Sequence, residues 1–165
     1  MASESIPIIS IPSATAADAR PTFAVRTYVM VSDYWALTKP EVNSLIAVAT
    51  FTGFYLGHAT EPQGFPFLLL IHTLLGTLMV ASGTGTLNQY IERRFDAQMR
   101  RTARRPMAAG RLKPDLVLWF GVALSAFGSI YLAIAVNALA SLLAIVTLLS
   151  YLFVYTCLLY TSRCV

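Results

Sequence analysis

Residues 65–96 read FPFLLLIHTLLGTLMVASGTGTLNQYIERRFD. From Phe65 to Leu87 this stretch holds no Asp, Glu, Lys or Arg. An uncharged run close to the ~20 residues needed to cross a ~30 Å hydrocarbon core must be helical there, because lipid offers no partner to backbone N–H and C=O groups. The run passes without a break into Asn88, Glu92 and Asp96, at i, i+4 and i+8. On a helix of 3.6 residues per turn these three form one stripe, each ~6 Å above the last. The stretch therefore predicts a membrane helix that emerges into water with three oxygen-bearing side chains pointing the same way.

The sequence that follows is basic. Asn88 to Pro106 reads NQYIERRFDAQMRRTARRP, and Ile91 to Asp115 holds eight of the twelve Lys and Arg residues of the chain. The formal charge of +4 is thus concentrated in one loop. Oxygen ligands beside Arg93, Arg94, Arg100, Arg101, Arg104 and Arg105 suit a hard cation such as Mg2+ shared with the oxygens of a phosphate or diphosphate. At roughly 100° per residue, Arg93 and Arg100 fall near the Asn88 stripe, so both are expected to line the same concavity. Two plainer readings stand beside this one. Basic residues gather in cytoplasmic loops whatever the protein does, and Glu92 and Asp96 can be surface carboxylates neutralised by neighbouring arginines. Nucleic acid is a poor partner, because the loop has little aromatic interleaving and contains two carboxylates.

Outward from this stretch, the composition agrees with a membrane protein. With 56% hydrophobic and 12% charged residues over 165 positions, the chain is too apolar for a soluble domain of its length. Four spans are expected, over Val42 to about Ala59, Phe65 to about Leu87, Leu116 to Val136 and Ala138 to about Leu159, with a very tight connection at Asn137. The fold class that follows is all-α, a polytopic membrane helix bundle with about four transmembrane helices. Residues 1–33, rich in Ser, Ala, Thr and Pro, read as a disordered tail without a secretory signal. The bundle occupies 34–160, with the basic loop at 91–115. Tyr34 to Pro40, YWALTKP, has Tyr34 and Trp35 at headgroup level and Lys39 reaching water, and a helix can start at Pro40. Basic residues before the first span (Arg20, Arg26, Lys39) and in the loop, with none in the turns at His58 to Gly64 and at Asn137, put both regions on the cytoplasmic side of an inner (plasma) membrane. Gly76, Ala81, Ser82, Gly83 and Gly85 allow close approach of a neighbouring helix or a flat ligand. His72, inside a span, reads better as a neutral core histidine bonded to a carbonyl than as a haem ligand, and His58, at the outer end of the first span, is remote from the cytoplasmic motif. Trp119, Phe120, Tyr131, Tyr151 and Tyr155 read as packing and interface anchors. Cys157 and Cys164 point to no disulfide framework or zinc site.

Asn88-x-x-x-Glu92-x-x-x-Asp96, then Met99, Arg101-Thr102 and Arg105-Pro106, closing with Ala109-Gly110-Arg111-Leu112, resembles the first aspartate-rich motif and following loop of the UbiA-type intramembrane prenyltransferases. Leu37 to Val42, LTKPEV, is similar to the start of the first helix in the protohaem IX farnesyltransferase (haem O synthase) subgroup. The resemblance covers roughly Tyr34 to Thr156. It implies an all-helical membrane enzyme that transfers a farnesyl group from farnesyl diphosphate to a vinyl group of haem b, with Mg2+ assistance. It further implies that Asn88, Glu92 and Asp96 hold the Mg2+-bound diphosphate as metal-binding and catalytic residues, and that Arg101 and Arg105 clamp its oxygens. Glu92 stands where many relatives of the wider superfamily have Asp. Members of the family are about twice this length and carry a second aspartate-rich motif, whereas CLLYTSRCV at the end of this sequence does not resemble the loop expected next. That points to a truncated chain or a non-native ending over 161–165, and to a first half-bundle without a complete cavity. Two alternatives stay open, a superfamily member with an aromatic acceptor such as 4-hydroxybenzoate and a non-catalytic helix bundle whose basic loop binds anionic lipid headgroups.

Overall fold

The computed structural model describes residues 23–58, 64–100 and 102–161, with side chains over 27–58, 64–100 and 102–154. Its helices are α1 (Phe23–Leu37), α2 (Pro40–His58), α3 (Phe67–Asp96), α4 (Pro114–Ala135) and α5 (Ala138–Thr161). No strand occurs among the described residues. Each expected span coincides with a helix. By length and composition α3 and α4 can each cross a membrane, while the apolar part of α5 within the described side chains, Ala138–Val154, is shorter. Helix α2, at 19 residues, carries Asn43, Ser44, Thr50 and Thr52 within its apolar run.

The packing inverts the pattern of a soluble bundle. Leu45, Phe127 and Ile134 are 71%, 66% and 82% exposed, whereas Gly76, Gly83, Gly121, Ser125, Gly128 and Ser129 are buried. Lipid tails are as apolar as Leu, so large side chains gain nothing by turning inward, and small residues let the helix backbones approach. The closest approach is between α3 and α4. A Cβ added at Gly83 would stand 2.7 Å from the Ser125 nitrogen and 2.8 Å from the Gly121 oxygen, and one at Gly128 would stand 2.9 Å from the Val80 nitrogen. Helix α2 packs on α3, and α5 packs on α4 and α3.

Polar side chains fasten these contacts. Asn43 Nδ2 donates to Ser82 Oγ at 2.6 Å, joining α2 to α3, and Ser141 Oγ donates to the Ser129 carbonyl at 2.8 Å, joining α5 to α4. His72 Nδ1 lies 2.6 Å from the Tyr131 hydroxyl. Its partner is thus a hydroxyl on α4 rather than the carbonyl expected, and the bond ties α3 to α4. His58 donates from Nδ1 to the Phe54 carbonyl at 3.0 Å and stacks on the Phe54 ring. The tight connection at Asn137 is a helix cap, in which Asn137 Oδ1 accepts from the Ala140 amide at 2.6 Å.

The stretch read as a disordered tail through residue 33 is helical from Phe23 onward. Helix α1 is held by its C-terminal turn. Leu37, fully buried, packs with Met107, Leu112 and Val117, with Tyr34 and Tyr90 at the edge. Asp33 pairs with Arg111 at 2.8 Å. Among the described side chains of α1, Asp33 and Leu37 are the buried ones. The basic loop after α3 therefore has a small core of its own, closed on one side by α1.

Candidate functional site

Asn88, Glu92 and Asp96 occupy the last turns of α3 and are drawn together there. Asn88 Nδ2 donates to Glu92 Oε2 at 2.9 Å. One guanidinium nitrogen, Arg105 Nη1, donates to Asp96 Oδ2 at 2.7 Å and stands 3.7 Å from Glu92 Oε2. The loop brings Arg105 back onto the helix. Thr102, itself buried, donates from Oγ1 to the Asp96 carbonyl at 3.0 Å, which folds the chain over the helix end, and the Arg105 amide then bonds the Thr102 carbonyl at 3.0 Å. Asp96 is only 5% exposed. A buried carboxylate is stable there because it has a charge-assisted partner.

The other arginines divide. Arg93 does not join the concavity. Its Nη1 donates to the Tyr90 carbonyl at 3.0 Å and its guanidinium lies 4.2 Å over the Tyr90 ring, a cation–π contact that holds it along its own helix. Arg94, Arg100 and Arg104 are exposed. Arg111 reaches Asp33 instead. Arg101 lies outside the described residues.

Two further residues belong to this end of the molecule, and neither was placed at the site from the sequence. Gln89, 2% exposed, donates from Nε2 to the carbonyls of Leu37 at 3.2 Å and Ala36 at 3.3 Å. Its Oε1 is buried without a partner among the described residues, so the side chain serves through its two donated bonds. These close the end of α1 onto α3. Lys39, expected to reach water, is partly buried and its side chain lies against α3, with Cγ and Cδ 3.7 Å from the position of a Cβ at Gly85. Its charge faces Arg105, Glu92 and Asp96, and burial, reinforced by Arg105, holds the amine below the usual lysine range while the two carboxylates oppose that shift. The only sequence signal was the isolated cation directly before the Pro40 helix start.

Lys39 and Gly85 also line a cavity of about 350 Å3 between α2, α3 and α5, whose walls include Ile46, Val80, Thr84 and Leu148. That volume lies in the range of ~300–1,000 Å3 occupied by small-molecule sites. Gly85 precedes Asn88 by one helical turn, so the apolar cavity and the charged cluster adjoin. For a divalent cation the donor set is suitable in kind, two carboxylates and one amide oxygen, all hard ligands. The same carboxylates now share a guanidinium, which shows that their oxygens converge on one cation. No group of three or more His, Cys, Asp or Glu able to hold a metal occurs among the described residues, so the amide of Asn88 or oxygens from a ligand must complete any such set.

The family model described as the UbiA prenyltransferase family matches residues 44–165. A protein named protoheme IX farnesyltransferase from Solibacter usitatus (strain Ellin6076) is 44% identical over 130 residues, covering 75% of this chain and 44% of the relative. Its namesake from Salinibacter ruber (strain DSM 13855 / M31) is 43% identical over 134 residues, 81% of this chain and 46% of the relative. A third of that name, from Sorangium cellulosum (strain So ce56), is 50% identical over 98 residues, 59% of this chain and 35% of the relative. The chain thus spans about half the length of the first two relatives. No solved structure matches. An all-helical membrane bundle with the Asn88, Glu92 and Asp96 cluster at one helix end, matched by that family over most of its length, belongs to the UbiA prenyltransferase family.

Proposed function

We propose that this chain supplies one side of the active site of a farnesyltransferase that moves the farnesyl group of farnesyl diphosphate onto haem b, giving haem O. The observation that carries the reading is the convergence of Asn88, Glu92, Asp96 and Arg105 beside an apolar cavity of about 350 Å3. A prenyl diphosphate has the matching form, a polyanionic head on a flexible hydrocarbon chain. The acceptor is taken from the relatives, each named protoheme IX farnesyltransferase.

In this reading Asn88, Glu92 and Asp96 hold Mg2+, which when bound supplies positive charge to the diphosphate. Arg105 binds the diphosphate oxygens with its guanidinium fork, and Arg101 is assigned the same role. Cleavage of the allylic C–O bond sends the electron pair to the diphosphate. Contacts from Arg105 that strengthen as this negative charge grows lower the barrier, since they stabilise the transition state more than the bound substrate. Val80 and Leu148 line the chain-binding space and exclude water from the farnesyl cation until the π electrons of the acceptor vinyl group attack it, after which the cation left on the vinyl-derived carbon adds water and releases a proton. The basic loop faces the cytoplasm across the plasma membrane, where exposed Arg94, Arg100 and Arg104 sit among anionic headgroups.

Photolabelling with a farnesyl diphosphate analogue carrying its reactive group on the terminal isoprene tests the assignment. The expected label lies on residues around Ile46, Val80 and Leu148, and unlabelled farnesyl diphosphate competes it away. Labelling confined to the lipid-facing surface at Leu45, Phe127 or Ile134, without competition, contradicts it. Addition of haem b to the full chain is expected to shift the Soret band saturably, which checks the acceptor.

A further inference from the structure

Lys39 occupies an unusual place in the chain. Leu37 ends α1 and Pro40 begins α2, so a single pair of residues, Thr38 and Lys39, makes the turn between them. The Lys39 amide bonds the Ala36 carbonyl at 3.4 Å, closing α1, while the Lys39 carbonyl accepts from the amides of Val42 at 3.0 Å and Asn43 at 3.1 Å, opening α2. One residue serves as the end of one helix and the cap of the next. Its φ of 50° is the only positive value among the described non-glycine residues, a conformation that residues with side chains seldom adopt. Nothing about a turn of this kind requires lysine. Gly or Asn takes the same backbone more readily and is the usual choice at a helix end.

The position is nonetheless firmly held. Gln89 grips the Leu37 carbonyl from α3, Leu37 is fully buried, and the Lys39 stem runs across α3 at Gly85. The head is placed differently. The ion pairs among the described residues are Arg105 with Glu92, Arg105 with Asp96, and Arg111 with Asp33, and Lys39 takes part in none of them. The charged groups it faces are Arg105, Glu92 and Asp96, and with Lys39 they balance. A cation on the carboxylates leaves this face positive and in need of an anion.

We propose that Lys39 is a further diphosphate-binding residue, a second cationic arm that acts with Arg105 on the phosphate oxygens of a prenyl diphosphate whose chain lies in the α2–α3–α5 cavity. The inference rests on the reading of the Asn88, Glu92 and Asp96 cluster as a diphosphate site. It assigns Lys39 to the ligand rather than to the membrane surface, and it explains a lysine in a left-handed turn. An ammonium group is a compact, rotatable charge on a flexible stem, suited to following a diphosphate as it leaves.

The chain contains two lysines, Lys39 and the exposed Lys113, which makes amine footprinting decisive. The full chain in detergent is acetylated briefly, alone and with farnesyl thiodiphosphate plus Mg2+, and both sites are read by mass spectrometry. Lys39 is expected to be protected by about tenfold or more while Lys113 is unchanged. Affinity for the same probe is expected to fall about tenfold in Lys39→Gln, the scale of one charge-assisted contact, and to be largely restored in Lys39→Arg. Unprotected Lys39 together with wild-type affinity in Lys39→Gln overturns the assignment and leaves the diphosphate site standing. If the unmodified chain does not bind the probe, both readings fall. A third arm uses phosphatidylglycerol vesicles without diphosphate, and equal protection of Lys39 there would overturn the proposal in favour of a lipid headgroup.

Discussion

The two ends of α3 place polar groups in apolar surroundings in opposite ways. At one end His72 meets Tyr131, one ring nitrogen to one hydroxyl at 2.6 Å, and the pair joins two helices. At the other end Glu92 and Asp96 share a single arginine nitrogen, Asn88 leans on Glu92, and Lys39 faces the group without an ion pair among the described residues. The first arrangement is closed, with each group matched by its partner. The second has charges that share partners beside an apolar cavity. A matched, half-buried pair is accounted for by packing alone, whereas shared charges beside such a cavity suit a ligand that brings both charge and hydrocarbon.

That contrast is breakable in graded steps. The frame between the two ends should be the most sensitive. Gly83→Leu forces a side chain into the Ser125 and Gly121 backbone, and overpacking of this kind costs ~1–3 kcal/mol or more. Thermal unfolding in detergent should show the largest loss of stability of these variants, with His72–Tyr131 and the charged cluster uncoupled together. Gln89→Leu should come next. It removes both bonds to the α1 end at a cost of about 1–3 kcal/mol in buried surroundings. Probe binding should weaken in this variant as Lys39 loses its fixed position, a separation that parallel unfolding and binding curves would reveal. Tyr131→Phe leaves His72 without its hydroxyl partner at a cost of ~1 kcal/mol. Diphosphate affinity should stay at the wild-type level, and a drop of tenfold would dissolve the distinction between the two ends. Arg111→Gln should be the mildest, within ~1 kcal/mol by the same unfolding assay, because its pair with Asp33 is half exposed on the arginine side.

The contrast also separates what was legible in the sequence from what was not. The Asn88, Glu92 and Asp96 stripe was readable because all three lie on one helix, where position follows from local geometry. The starts of α2 at Pro40 and of α5 after Asn137 were readable for the same reason. Arg93 shows the limit of angular reasoning, since a long side chain on the right face found a nearer partner in Tyr90. Lys39 and Gln89 were not readable, because their roles depend on contacts between residues about fifty positions apart. Helix α1 was missed because the Ser-, Ala-, Thr- and Pro-rich composition of residues 1–33 was read as one tail, whereas the contacts that hold its end, at Asp33 and Leu37, come from the distant loop residues Arg111, Met107 and Leu112.

The most direct test is calorimetric titration of the full chain with farnesyl thiodiphosphate, with and without Mg2+, on the unmodified protein, on Asp96→Asn and on Glu92→Gln. Saturable, Mg2+-dependent binding in the unmodified protein, lost or weakened by a hundredfold in both variants, is the predicted result. Binding of equal strength in all three proteins, indifferent to Mg2+, would contradict the account and leave the basic loop as a surface for anionic lipid.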